Sequence, residues 1–343
     1  MTIRESIFSL QVTLWVLAAT VTQASGQTIH VGARVGILSL PSATTGQDQL
    51  NGIATNGQNR VLVSEATTRD LLVFGADGHL LSRSSLLGDH LASPGAMAFL
   101  TRTTFAVMDR GRPQALWARL SHDSAVLVAE GKAPIGANSG ACSLNGTFVV
   151  AGFEATPEKS HILHEIDGHG SAVRSFGTPL GGNDSTAWAA RLVLVPSLIA
   201  CSSAGADIII ASQISGEVRA ITEQGRVRWS LTLPHFTPMT FITPSSREMR
   251  YVWPADSLWD KIETIFAPAP GVVALQVARR FGIRPDTALS VSTYFLEMQT
   301  GRMISTQSDL PLVRAVLPER LYTTGENLRP VSLEIHAFHW GVR

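Results

Sequence analysis

The chain of 343 residues lacks the motifs that announce most catalytic families. It has no Gly-x-Ser-x-Gly elbow, no His-Glu-x-x-His, no Walker loop and no EF-hand loop. There are only two cysteines, Cys142 and Cys201, and no Cys-x-x-Cys. Two cysteines can pair, but they make neither a disulfide scaffold nor a zinc ribbon. Charge of either sign is not in excess: acids and bases number 27 each. That balance gives no basic field for nucleic acid or anionic lipid. Long apolar runs are missing after the first residues, so no later segment supplies the about 20 apolar residues of a membrane span. Low charge, with many Gly, Ser and Thr residues, fits an exported all-β chain.

Residues 1–24 read as an export signal. Arg4 stands near the start, beside Glu5, and Ile7 to Val21 is mostly apolar. Thr22-Gln23-Ala24 puts small residues at the two positions a signal peptidase reads. The run is short for a membrane anchor and contains Gln11. No cysteine lies near the cleavage region to carry a lipid. The expectation is a secreted or periplasmic protein with no stable membrane span after cleavage, its one domain running from 25 to 343.

The stretch that organises the rest is Arg60 to Arg83, RVLVSEATTRDLLVFGADGHLLSR. Val61–Val63 and Leu71–Phe74 are apolar runs separated by a polar loop, and Leu80-Leu81 begins a returning strand. Asp77-Gly78 reads as a two-residue hairpin turn with positive φ at both positions. Weaker copies follow. Thr104–Met108 pairs with Ala115–Ala118, Thr147–Ala151 with Ile162–Ile166, and Asp207–Ala211 with Val218–Ile221. The first three turns fall near residues 78, 123 and 168. Four strands in about 40–45 residues make one propeller blade. A fifth copy runs from Ile262 to Thr306, with a long basic loop expected at Ala278–Asp286. A sixth starts at Val313 and ends without a fourth strand. Thr28–Leu40 is an orphan strand that can supply it. The fold class expected is therefore all-β, a six-bladed β-propeller closed by an N-terminal strand.

Val63-Ser64-Glu65 through Val73-Phe74, with Asp77-Gly78 behind, resembles an NHL-type blade and the related bacterial six-bladed propellers. There an acid ends the second strand, a polar loop follows, and a Val-x-Val-Phe-like strand leads into an Asp-Gly turn. The resemblance implies the fold. For function it implies either a binding surface for protein or carbohydrate, or a lactonase or lyase with a site at the central channel.

The charged residues fall mostly in the loops between second and third strands, which share one face of a propeller. Glu65, Arg69, Asp109, Arg110, Arg112, Arg279, Arg280, Arg284, Glu326 and Arg329 are the candidate binding residues, because loops on a rigid scaffold commonly carry function. The bland alternative is solvated turns with ion pairs worth about 0–1 kcal/mol each. The inner strands AMAFL, GACSL and LIACS are apolar or small, which speaks against a metal-dependent lactonase. No metal or cofactor is expected, and no catalytic residue is assigned. His161, His164 and His169 read as surface residues of one blade, and His336 and His339 face opposite ways on one strand.

Cys142 and Cys201 sit on the inner strands of consecutive blades. A bridge between them is open at the narrowest radius, but the about 10 Å spacing of packed sheets favours two buried thiols. The functional reading is an exported binding module for an unidentified protein, small-molecule or carbohydrate ligand. A propeller hydrolase or lyase is the alternative.

Overall fold

The structure, a computed structural model, describes residues 26–41, 50–65, 67–110, 112–133, 140–152, 161–168, 172–178, 197–202, 207–238, 242–245, 248–250, 257–282, 288–324 and 332–342. Six four-stranded antiparallel sheets form the ring of a six-bladed β-propeller. β1 (Gln27–Ser39) opens the described chain. Blade 1 follows as β2 (Leu50–Thr55), β3 (Arg60–Glu65), β4 (Leu71–Gly75) and β5 (Leu80–Ser84). A five-residue helix, α1 (Leu86–His90), leads to blade 2. That blade is β6 (Pro94–Phe99), β7 (Thr104–Asp109), β8 (Gln114–Ser121) and β9 (Ser124–Lys132). Blade 3 is β10 (Gly140–Leu144), β11 (Thr147–Ala151), β12 (Leu163–Ile166) and β13 (Ala172–Phe176). Blade 4 is β14 (Ser197–Cys201), β15 (Asp207–Ser212), β16 (Glu217–Thr222) and β17 (Val227–Thr232).

A small hairpin, β18 (Ile242–Ser245) and β19 (Glu248–Arg250), intervenes. Blade 5 then has β20 (Leu258–Ala269), β21 (Val272–Phe281), β22 (Ser290–Glu297) and β23 (Met303–Gln307). Blade 6 has β24 (Val313–Leu317), β25 (Arg320–Thr323) and β26 (Ser332–Val342). Its fourth strand is β1, which pairs antiparallel with β26 from Gln27 against Val342 to Ser39 against Ser332. The orphan first strand and the incomplete last blade thus complete each other.

The ring is closed by packing as well as by pairing. Each of the six blade-to-blade interfaces has its own apolar cluster. Val73 and Leu116 share the cluster between blades 1 and 2, and the Trp117 and Phe148 rings meet edge-on between 2 and 3. Val149 and Ile210 share the cluster between 3 and 4, and Val218 and Leu275 that between 4 and 5. Phe295 and Leu321 belong to the cluster between 5 and 6, and Tyr322 and Phe74 to that between 6 and 1. A middle strand therefore has a neighbouring blade on each face. This is why Val61, Leu62 and Val63 are all fully buried and read as an unbroken apolar run.

Three expectations need correction. The Asp77-Gly78 turn is not a two-residue turn with both φ positive. Only Gly78 is left-handed, at φ 86°, and the register slips between Val73 and Phe74. Gly225 and Gly301 follow similar slips. A type I turn closed by a left-handed glycine and a bulge is the pattern. Second, Ala278–Phe281 is not loop. It continues β21, paired to β20 through Arg279 against Asp260 and Arg280 against Trp259. Third, Cys142 and Cys201 are joined in a disulfide, with Cα atoms 5.6 Å apart. The about 10 Å spacing of packed sheets applies to the middle of a blade. Near the axis β10 and β14 converge, and the cysteines lie on those strands.

Candidate functional site

The first strands of all six blades wall a central channel. At the end bearing the second-to-third-strand loops it widens into a cavity of about 480 Å³. That volume lies within the range of small-molecule sites, roughly 300–1,000 Å³. Gly140 lets two first strands approach there: a Cβ would lie 2.6 Å from the carbonyl oxygen of Ser197.

The wall is mixed. Blades 1 to 4 contribute Ile53, Met97, Ala141, Leu198 and Ile199, together with Arg110 and Gln213. Blades 5 and 6 contribute Lys261, Glu263 and Arg314. Two of these charged residues sit at breaks in the strand ladder. Pairing of β20 with β21 skips Glu263, between Ile262 and Thr264. Pairing of β24 with β25 skips Arg314, between Val313 and Ala315. An extra residue of this kind bends the strand and re-aims its side chain, and such bulges gather next to active sites.

The second bulge is held from blade 5. Gln276 is fully buried. Its Oε1 accepts the Val313 N–H at 2.6 Å, and its Nε2 donates to Pro311 O at 3.0 Å and Thr293 Oγ1 at 3.1 Å. This fixes the backbone one residue before Arg314.

The charges are unevenly shared. Glu263 is only 6% exposed and makes a close ion pair through Oε1 with Arg280. Arg280 stacks over the Trp259 ring, its guanidinium carbon 5.2 Å from the centroid. The Lys261 amine stands 3.7 Å from Glu263 Oε2, a looser pairing. Burial pushes the Lys261 amine below the usual lysine range; Glu263 opposes that shift, and Arg280 and Arg314 add to it. The side chain is still 26% accessible. That surface faces the channel, where protein on every side replaces most of the solvent. Burial likewise lowers the Arg314 pKa, but a guanidinium stays charged.

Among the described residues, the loop residues singled out in the sequence are not all brought to the cavity. Arg110 does line the cavity. Its stem crosses Gly95, where a Cβ would lie 2.7 Å from Arg110 Cγ. Asp109, buried beside it, accepts backbone N–H groups from Ala92 at 2.6 Å and Ser93 at 3.2 Å. It thus anchors the connection into β6 instead of facing the channel. Glu65 is fully buried and accepts from Thr68 Oγ1 at 2.7 Å and Arg83 at 3.4 Å. Arg69 is exposed, with its guanidinium 3.5 Å from Leu91 O. Arg112 is exposed on its loop.

Arg279 forms a two-pronged pair with Asp260, at 3.0 and 3.1 Å. Asp260 also accepts the Thr237 N–H at 2.8 Å. The hydrogen bond and charge of Asp260 raise the Arg279 pKa. This pair ties a connection to blade 5. Arg280 supports Glu263 from behind. Arg284, Glu326 and Arg329 lie outside the described residues.

His164 is buried, not on the surface, with Nδ1 2.8 Å from Ser175 Oγ. His339 stacks on His30 at 4.6 Å between centroids, and His336 bonds Glu334 at 3.2 Å. His169 lies outside the described residues. Among the described residues no three His, Cys, Asp or Glu side chains gather as a metal site. No described helix is long and apolar enough to cross a membrane.

Lys261, Glu263 and Arg314 were not among the residues that sequence reasoning selected. Their one signal is charge within segments that otherwise follow strand alternation, Asp260-Lys261-Ile262-Glu263 and Val313-Arg314-Ala315. A smaller cavity, about 330 Å³, opens at the other end beside Cys201 and the Pro268–Gly271 and Pro318–Glu319 turns.

No family model matches the chain, and no curated protein matches its sequence. Solved structures share the fold. A member of the DUF4221 family from Bacteroides vulgatus superposes with a TM-score of 0.61 at 9% identity, over 94% of this chain and 100% of that one. Catalytically inactive virginiamycin B lyase from Staphylococcus aureus, solved with quinupristin, gives 0.50 at 12%, over 91% and 99%. A protein from Bacteroides fragilis gives 0.51 at 9%, over 86% and 83%. At these identities the likeness concerns fold alone.

Proposed function

We propose that this chain is an exported propeller that binds a small-molecule ligand in the wide half of its central channel. The observation that carries the reading is the pair of bulges bringing Glu263 and Arg314 to the wall of a cavity of ligand size. Packing alone would be served by apolar residues there, since dehydrating a charge is costly. Charge presented to a cavity of ligand size, beside apolar residues, suits a binding site in which placed polar groups fix the ligand's orientation. Of the loop charges, Arg110 joins the proposal, because it lines the mouth.

Export is supported by the pattern of residues 1–24 and by the disulfide, which persists in oxidising compartments. Sequencing the N-terminus of the mature protein tests it; a chain still beginning at Met1 argues against the signal.

The binding reading is tested by a small-molecule thermal-shift screen on wild type and an Ala141→Trp variant that fills the cavity. Ligands that bind the native state raise the melting temperature by mass action. The shift should vanish in the variant. Equal shifts in both proteins would move the site elsewhere. The lyase reading has one observation in its favour: Lys261 offers the channel an amine whose pKa is lowered, the kind of group that can take up a proton. Incubation with quinupristin, followed by mass spectrometry for a cleaved product, tests that reading directly.

A further inference from the structure

We infer that the channel's ligand is an organic anion with an apolar body, its anionic group held against Lys261 and Arg314 and its body against blades 1 to 4. The inference rests on the channel being the ligand site and adds the chemistry of what it takes.

The placement of charge carries it. Among the described residues lining the cavity, three are cationic, Arg110, Lys261 and Arg314, and one is acidic, Glu263. Glu263 is engaged by Arg280 through one oxygen and stands 3.7 Å from Lys261 through the other. One carboxylate therefore serves two cations, and a second anion beside Lys261 would relieve the crowding. Lys261 is also a distinctive choice. The chain has 24 arginines and only three lysines, Lys132, Lys159 and Lys261. Where arginine serves nearly everywhere else, the channel carries the compact ammonium. A guanidinium at Arg314 and an ammonium at Lys261 together suit a carboxylate, one by its planar fork and one as a point charge. Around them, Ile53, Met97, Leu198 and Ile199 give the rest of the ligand an apolar face, while Gln213, on the same wall, donates to Ile262 O at 3.0 Å and Arg110 stands at the mouth.

The scarcity of lysine makes the test simple. Formaldehyde with a neutral amine–borane dimethylates unprotonated amines, and peptide mass spectrometry reads each lysine separately. Lys132, exposed on β9, is the internal control. The native protein is labelled in the presence of hexanoate or of hexanamide, its neutral counterpart of the same size. Lys261 should be labelled in the free protein and protected by hexanoate. Half-protection by hexanamide should need about tenfold more, the difference expected for losing a charge-assisted contact. Lys132 should respond to neither. If Lys261 is labelled but hexanoate protects no better than hexanamide, the anion inference fails and the channel reading stands. If Lys261 resists labelling while Lys132 reacts, the channel is closed to small molecules and both fail.

Discussion

The hydroxyl of Tyr322 donates a 2.8 Å hydrogen bond to the carbonyl oxygen of Ala76, across 246 residues of sequence. It ties the last blade to the third-strand turn of the first, at the seam where the ring closes. The ring of Tyr322 is fully buried. Burial pushes its phenol up to about 12; Arg320 opposes the shift and Asp77 adds to it. In the unfolded chain a phenol titrates at about 10. The folded state therefore keeps a proton that the unfolded state loses between these values. The stabilisation is whole below about pH 10 and is lost as pH rises through the folded value. Tyr322→Phe should cost about 1 kcal/mol at neutral pH. It should also flatten the alkaline decline in urea-unfolding stability. A decline as steep as that of wild type would assign the alkaline loss to other groups.

A second seam contact lies on the outer rim. Gln307 accepts the Ile29 N–H at 3.1 Å and donates to the Ile29 carbonyl at 3.0 Å. With Gln276, it lets blade 5 hold both the first and the fourth strand of blade 6. Gln307→Leu would leave two backbone groups of Ile29 buried without that partner, at about 1–3 kcal/mol each. Denaturant midpoints measure the loss. Deleting residues 27–39 removes β1 altogether and bares β26, so light scattering should report association, since a free strand edge recruits other chains. A monomeric, soluble deletion protein would argue against β1 as the closing strand.

The blades were legible because their middle strands are packed on both faces. Residues such as Val61–Val63 and Ile208–Ile210 then appear as unbroken apolar runs, evenly spaced over the first three blades. Closure was legible from a missing strand and a spare one. Other features depend on distant partners. Arg279 and Arg280 interrupt an apolar run and so read as loop, yet they stay on β21 because Asp260 and Glu263 on β20 meet them. The disulfide depends on how closely first strands converge at the axis, which spacing along the chain does not encode. The channel charges were the hardest to find. Lys261, Glu263 and Arg314 come together only through two bulges, and a bulge leaves little mark in a sequence read for alternation.

The disulfide joins blades 3 and 4 across 59 residues of sequence. Cross-linking a loop of that length stabilises by roughly 4 kcal/mol on the chain-entropy account. The double variant Cys142→Ala, Cys201→Ala should lose about 2–4 kcal/mol. Intact mass under non-reducing conditions should show no titratable thiol in wild type. Finding both thiols free would leave the cysteines as small apolar packing residues, and the double variant would then cost far less.

Lys261 should make stability depend on pH in the opposite sense to Tyr322. Its folded pKa lies below the ordinary lysine value, first because of burial, with Glu263 opposing and Arg280 and Arg314 adding to the shift. Between the folded value and the unfolded value of about 10.4, the unfolded chain binds more protons than the folded one. Stability therefore rises with pH across that window, because the cost of a charged amine in the channel disappears as the amine deprotonates. Lys261→Met keeps the stem and removes the charge. It should raise the melting temperature near neutral pH and remove the rise at alkaline pH, leaving the Tyr322 decline exposed. Glu263 then keeps Arg280 as its partner, so the variant should fold. A lower melting temperature for Lys261→Met would mean that the ammonium contributes more through Glu263 than its dehydration costs, and that the channel is built as a structural ion-pair network.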